Sequence, residues 1–331
     1  MNRTVPLLEA VNVSKHYALG SRLGGRSVVR AVDGVSLAVW SGETLGLVGE
    51  SGCGKSTLAR CLLRLTDVTA GQIRFDGADI THMRQRTLRP LRRQMQMVFQ
   101  DPSASLNPRR RVGELIAEPL RVHGRSSRAK IRARLIELMH LVGLHPDHLD
   151  RFPHEFSGGQ RQRIGIARAL ALAPRLIVAD EPVSALDVSI QAQIVNLLMD
   201  LQERLGLTYL FIAHDLRVVR QVSTRMAVMY LGTIVELGPT DAIFRAPAHP
   251  YTAALMAAVP SVHGNARFAA AAPRGEMPSA MLRSVGCRFH PRCPAAQERC
   301  RGEAPQLRSF AADHQVACHF PLARDGRTHS Q

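Results

Sequence analysis

The chain has 331 residues, 45% hydrophobic and 5% aromatic, with a formal charge of +16. That length and apolar content suit one large domain or two modest ones with an ordinary core; Glu9 and Lys15 interrupt the first segment, which has no apolar run of signal-peptide length, and Arg168, Pro174 and Arg175 break IGIARALALAPRLIVA, so that it does not read as a membrane span. The charge leaves open a nucleic-acid partner, an anionic membrane surface or dispersed surface arginine, but the basic patches RPLRR (89–93), PRRR (108–111) and 121–134 have no interleaved aromatics, which argues against a base-stacking surface.

In chain order, LLEAVNV (7–13) and VSLAV (35–39) read as strands, separated by the Gly- and Arg-rich SRLGGRSVVR. TLGLVGESGCGKSTLARCLLRL passes from strand to Gly-rich loop to helix, and LRRQMQMVFQ ends a second apolar strand. Residues 112–142 have helical spacing, with Leu135, Leu138, Met139 and Val142 on one face. SGGQRQRIGIARALALA predicts a further helix. LIVAD and TYLFIAH are short, fully apolar strands of the kind buried on both faces of a parallel sheet, and MAVMYLGTIVELG has the pattern of a hairpin. After about residue 245 the chain turns Ala-, Pro- and Arg-rich with little periodicity, which predicts a division into 1–245 and a small loop-rich module, 246–331.

GESGCGKST supplies a phosphate loop: Gly49, Glu50, Ser51, Gly52, Cys53, Gly54, Lys55, Ser56 and Thr57. Glycines let successive backbone N–H groups turn inward around a phosphate, and the following helix adds the positive end of its dipole. Lys55 can reach the β and γ phosphates, and the Ser56 hydroxyl can bind Mg²⁺. LIVADE places Asp180 and Glu181 at the carboxyl end of a strand, where parallel sheets gather their ligand groups. Asp180 suits Mg²⁺, and Glu181 suits the polarisation of an attacking water.

FSGGQRQR (156–163) resembles the signature of ABC-type ATPases, usually LSGGQ, with Phe156 in place of Leu. The other motifs follow in that family's order. Gln100 matches the Q-loop, Ser184, Ala185, Leu186 and Asp187 match the D-loop, His214 matches the switch histidine, and Tyr17 matches the aromatic that stacks on adenine. QDPSASLNPR, HPYTAALMAAVP (249–260) and GCRFHPRCP are similar to segments of the ATP-binding subunits of bacterial dipeptide and oligopeptide importers, the second, F-type subunit being favoured.

The resemblance implies an α/β fold: a P-loop, RecA-like core with an antiparallel β subdomain and a helical signature subdomain, plus the Cys-containing C-terminal module. It implies ATP and Mg²⁺, the latter held by Ser56, Gln100 and Asp180, with Glu181 and His214 catalytic. Ser157, Gly158, Gly159 and Gln160 would cap ATP held by an opposite subunit. The implied partners are a second ATPase subunit in a heterodimer, two transmembrane permeases, and through them an extracytoplasmic solute-binding protein. The implied place is peripheral, on the cytoplasmic face of the bacterial inner membrane, in contact with its surface and without nucleic acid. Nickel-chelate, glutathione and antimicrobial-peptide importers share this ATPase type, and a soluble nucleic-acid-associated ABC ATPase is the rival outside transport.

Cys287, Cys293, Cys300 and Cys318 are spaced C-x5-C-x6-C-x17-C, which matches neither common structural zinc spacing nor a ferredoxin run. A module of this size and composition needs a staple, and a reducing cytosol favours a metal over disulfides. The resembling subunits carry the same tail with an iron–sulfur cluster implied for some of them, so a structural [4Fe–4S] site is expected, with zinc, free thiols or occasional disulfides as alternatives.

Overall fold

The structure is a computed structural model and describes residues 5–21, 24–101, 105–124, 127–258 and 285–322. Its strands are β1 (Leu8–Ser21), β2 (Gly24–Val39), β3 (Thr44–Val48), β4 (Ala70–Phe75), β5 (Ala78–Asp79), β6 (Met95–Val98), β7 (Leu176–Asp180), β8 (Thr208–Ala213), β9 (Arg225–Tyr230), β10 (Thr233–Pro239), β11 (Arg308–Ala311) and β12 (His314–Val316). The chain forms two compact units interleaved in sequence: one of Met1–Leu7, Val39–Glu43 and His82–Ile212, the other of Leu8–Ala38, Thr44–Thr81 and Ala213–Gln331.

In the first unit β6, β7 and β8 run parallel, with Met95 opposite Leu176 and Leu176 opposite Thr208. Every residue of β7 and β8 is buried, which explains why neither strand alternates polar with apolar. The helices Val112–His123 and Arg128–Leu141 divide the stretch with helical spacing. Gly124 ends the first in an extended conformation, and the Ser127 side chain caps the second by accepting from Lys130 N. Leu135, Leu138 and Met139 are buried, as their spacing predicts. The signature helix, Gly158–Leu170, buries Ile164, Ile166, Ala167, Ala169 and Leu170. Each fully buried Leu or Ile contributes on the order of 1.5–3 kcal/mol.

In the second unit one sheet has the order β2-β1-β4-β5, antiparallel between β1 and β4 and between β4 and β5. A second group of strands pairs β3 parallel with β9, β9 antiparallel with β10, β10 with β12, and β12 with β11. The predicted hairpin is β9–β10. Its two turn residues, Leu231 and Gly232, both have positive φ, as the right-handed twist of the flanking strands demands. The helix Lys55–Leu62 buries Leu58, Ala59, Cys61 and Leu62.

The tail enters this unit as an integral part. β12 adds a strand to β10, and Val316 and Cys318 pack on Ala248 beneath Phe310. The Glu236 carboxylate is fully buried and satisfied three ways, by Ala248 N (2.7 Å), His249 N (2.9 Å) and His314 Nε2 (2.8 Å).

Candidate functional site

The phosphate loop lies in the second unit between β3 and the helix Lys55–Leu62. Two of its glycines are sterically required. A Cβ on Gly49 would stand 2.2 Å from the Met229 carbonyl oxygen, and one on Gly54 2.0 Å from that of Ala31, both at positive φ. The Gly232 amide donates to the Cys53 carbonyl (2.8 Å), and Cys53 N to the Glu50 carbonyl (3.3 Å), which fixes the loop's arc. Lys55 is 4% exposed, and its ammonium donates to the carbonyls of Gly49 (2.8 Å) and Glu50 (2.9 Å). Ser56 and Thr57 are half-buried at the helix start, and Ser51 and Gly52 are exposed. Burial pushes the Cys53 thiol up against the opposing pull of Lys55, so it packs as a neutral group. Also in this unit, Tyr17 is exposed on β1 with the Lys15 ammonium 5.0 Å from its ring centre, and His214 is exposed just beyond β8.

The first unit holds the acids and the signature. Asp180 ends β7 at 3% exposure. Glu181 follows with φ 46°, a left-handed conformation rare outside glycine, and its N–H donates to the Ile212 carbonyl (2.9 Å). Gln100 Nε2 donates to Glu181 Oε2 (3.1 Å), so the structure brings together the residue that follows β6 and the acid that follows β7. The Ser184 hydroxyl donates to the Glu181 carbonyl (3.1 Å), and Gln191 Nε2 donates to the Val183 and Leu186 carbonyls (3.0 Å each), which ties down the turn holding Ala185, Leu186 and Asp187.

Ser157 and Gln160 form a reciprocal cap: Gln160 N donates to Ser157 Oγ (3.3 Å) and Ser157 N to Gln160 Oε1 (3.1 Å). The departure from LSGGQ is tolerated because Phe156 is buried, edge-on to the His148 ring at 5.5 Å. Gly158 and Gly159 lie under the neighbouring turn and helix. A Cβ on Gly158 would stand 3.2 Å from a Leu186 methyl, and one on Gly159 2.5 Å from an Ile190 methyl.

The basic patches are partly neutralised. Arg110 pairs with Glu114 and Glu118, Arg111 with Asp150, and Arg134 with Glu137. Burial, then Arg89, Arg93 and Arg92, hold the His123 imidazole below its usual range.

The iron–sulfur expectation is overturned. Among the described residues, which include all four tail cysteines, no group of three or more His, Cys, Asp or Glu is disposed to hold a metal ion. The cysteines are free thiols around a narrow cavity with Phe289 and Phe320. Burial pushes the Cys287 thiol up, Cys293 up to about 11 and Cys318 up to about 12. The premise that this segment needs a metal staple fails because β12 pairing and the Glu236 cluster hold it to the rest of its unit.

His249 caps the helix Pro250–Ala257, its Nδ1 accepting from Tyr251 N (3.0 Å). Burial lowers its pKa to about 4, partly opposed by Glu236. Between pH 6.5 and 4 the unfolded chain binds this proton and the folded one does not, so the contribution is full above pH 6.5 and is lost as pH falls, by roughly 3 kcal/mol. His249→Asn keeps a capping side chain without the titration. Its melting midpoint is expected to fall less than wild type's between pH 7 and pH 5; equal falls would rule out His249 as the source.

Sequence reasoning missed two residues of the second unit that reach the phosphate loop, Tyr251 and Arg292. The Glu50 amide donates to the Tyr251 hydroxyl (2.9 Å), and Arg292 pairs with the Glu50 carboxylate (3.0 Å). The only signal was HPY and HPR standing in segments already singled out for resemblance.

Comparison with known proteins agrees with these motifs. Residues 32–184 match the ABC transporter family, and residues 235–300 match the family described as oligopeptide/dipeptide transporter, C-terminal region. The chain is 51% identical to the oligopeptide transport ATP-binding protein AppF of Bacillus subtilis, over 95% of this chain and 97% of that one. It is 48% identical to the di/tripeptide transport ATP-binding protein DppF of Pseudomonas aeruginosa, with the same coverage. A solved structure described as a dimeric post-hydrolysis state of the ATP-binding cassette MJ0796, bound to ADP and Pi, superposes with a TM-score of 0.64 at 30% identity, over 70% of this chain and 98% of that one. The chain has the P-loop ABC ATPase fold and belongs to the family of ATP-binding subunits of peptide ABC transporters, whose ATP hydrolysis is coupled to transport.

Proposed function

We propose that this chain hydrolyses ATP in a head-to-tail sandwich with a second ATP-binding subunit, and that turnover drives import of di- or oligopeptides through two permease subunits fed by a solute-binding protein. One observation carries it: a single chain joins a phosphate loop, a capped signature helix and a Gln100–Glu181 pair to a tail of the oligopeptide/dipeptide transporter type.

The division of labour follows the chemistry. Phosphoryl transfer needs positioning and charge stabilisation more than covalent help. Lys55 and the loop amides cradle the phosphates, and Tyr17 stacks on adenine. Glu181 takes the proton of the attacking water, and His214 holds the γ-phosphate. The Ser157, Gly158 and Gly159 end of the signature helix closes on nucleotide held by the partner. Ser56, Asp180 and Gln100 offer a hydroxyl, a carboxylate and an amide oxygen, the hard donors that suit Mg²⁺. Bound there, Mg²⁺ would neutralise charge developing on the phosphate oxygens. Residues 1–245 form the ATPase and 246–331 a Cys-containing module proper to this transporter class. Among the described residues no helix is long and apolar enough to cross a membrane. As the ATP-binding subunit of such a transporter the chain works peripherally on the cytoplasmic face, Arg89 and its neighbours facing the permeases or the anionic leaflet.

Purified alone, the chain is expected to turn over ATP slowly, because its signature serves a partner's site. Adding the cognate subunit, permeases and binding protein in vesicles should raise the rate, and peptide should raise it further. Full activity as a strict monomer at nanomolar concentration would sink the sandwich, and stimulation by a nickel chelate or glutathione but no peptide would overturn the substrate class.

A further inference from the structure

Within the second unit, residues far along the chain grip one residue of the phosphate loop. The Glu50 carboxylate accepts from Arg292 Nη1 at 3.0 and 3.1 Å, while the Glu50 carbonyl accepts from Lys55 Nζ at 2.9 Å. Arg292 is buried, its guanidinium 5.9 Å from the Tyr230 ring centre and Nη1 3.5 Å from the Tyr230 hydroxyl. Phe289 packs against both Tyr230 (5.3 Å) and Tyr251 (5.4 Å), and the Tyr251 hydroxyl takes the Glu50 amide. A short turn, His290–Arg292, delivers the arginine. It is closed by His290 Nδ1 on the Cys287 carbonyl (2.7 Å), and Cys287 N in turn donates to the Cys300 carbonyl (2.8 Å). Beside it, Arg288 reaches the Leu231 carbonyl and Asp33, which also meets His16.

A buried ion pair is weak evidence for stability, since desolvation offsets much of the attraction. Here the pair also leaves the buried Arg292 Nε without a partner, a cost that an apolar side chain would not carry. What the pair does fix is geometry, because amide, carboxylate and carbonyl of Glu50 are all committed, the last of them to the lysine that meets phosphate.

We propose that Arg292 is a positioning residue of the ATP site: through Glu50 it holds the phosphate loop in its receptive shape, so the segment after residue 245 sets ATP affinity. This rests on the ATP-binding role given to that loop.

The test uses the full-length chain with Mg²⁺ and a fluorescent ATP analogue (MANT-ATP), and KM and kcat of the assembled transporter. Arg292→Gln should raise the analogue's Kd and the KM for ATP about tenfold with kcat within about twofold. Arg292→Lys should recover most of the affinity. Glu50→Gln combined with Arg292→Gln should bind within about twofold of Glu50→Gln alone, because each change breaks the same link. Wild-type affinity in Arg292→Gln, a fall in kcat at constant KM, or fully multiplicative effects would each overturn the proposal. If Arg292→Gln does not fold, Tyr251→Phe removes the other hold on Glu50 and must also weaken binding; unchanged affinity there overturns it equally. Failure of the wild-type chain to bind MANT-ATP would strike at the function itself, whereas wild-type binding with an unaffected Arg292→Gln strikes at this inference alone.

Discussion

Replacing Glu181 by Gln is expected to lower ATP turnover of the assembled transporter by roughly 10²–10⁴-fold, the usual contribution of a positioned base, while ATP still binds. The substitution keeps size and shape. Glu181 is fixed through its backbone by the Ile212 carbonyl and by the Ser184 hydroxyl on its own carbonyl, and neither contact uses the carboxylate. The side-chain amide oxygen can still accept from Gln100 Nε2. What disappears is the negative charge and the capacity to take a proton. The left-handed backbone at Glu181 costs on the order of 1–3 kcal/mol, and Gln carries the same cost, so the variant isolates chemistry from conformation. With hydrolysis blocked, the closed two-nucleotide dimer should accumulate, visible as a shift in size-exclusion elution with ATP and the partner subunit present. Turnover within a few-fold of wild type would remove Glu181 from the catalytic role.

Much of this machinery was legible in the sequence because its chemistry dictates residue types at short, fixed spacing. Gly49 and Gly54 are set by close approach to the carbonyls of Met229 and Ala31, and Ser157 with Gln160 by the geometry of a helix start. The apolar runs LIVAD and TYLFIAH announced strands buried on both faces, which β7 and β8 are, with β8 ending at Ala213 before the exposed His214. The break at Gly124 inside the predicted helical stretch was less visible, since the apolar face of 128–141 continues the spacing before it. The Arg292–Glu50 pair was invisible for a different reason. Its partners are 242 positions apart, and an arginine among many carries no periodicity that marks it as buried. The cysteine tail was misread because thiol spacing is blind to surroundings. Four thiols in one segment do not by themselves make a metal centre, and among the described residues no group of three or more His, Cys, Asp or Glu is disposed to hold an ion. The assumption that so short a segment must be stapled overlooked β10, which pairs with β12 through Glu236 and Val316 and through Leu237 and Gln315.

Lys55→Ala should act at the earlier step, weakening ATP binding by at least about 100-fold through the loss of charge-assisted hydrogen bonds worth about 1.5–3 kcal/mol each. Lys55 is buried at the first turn of its helix, and its ammonium rests between the Gly49 and Glu50 carbonyls, inside the curve of the loop. A phosphate approaching the loop's amides meets this cation at close range in a poorly solvated place, where charge counts for more than in water. Alanine removes the cation and also strips both carbonyls of their donor, so the loop loses the brace that shapes it. The two losses point the same way, and the helix itself should survive, since Ala is the best helix former and Leu58, Ala59 and Leu62 keep their burial. The expected signature is a large rise in the dissociation constant of MANT-ATP in a nucleotide-free chain that still melts cooperatively, its midpoint lowered by the two carbonyls left without a donor. That separates it from Glu181→Gln, which should bind nucleotide and fail to turn it over. A Lys55→Ala chain that bound ATP as tightly as wild type would show that the GESGCGKST loop is not where the phosphates are held.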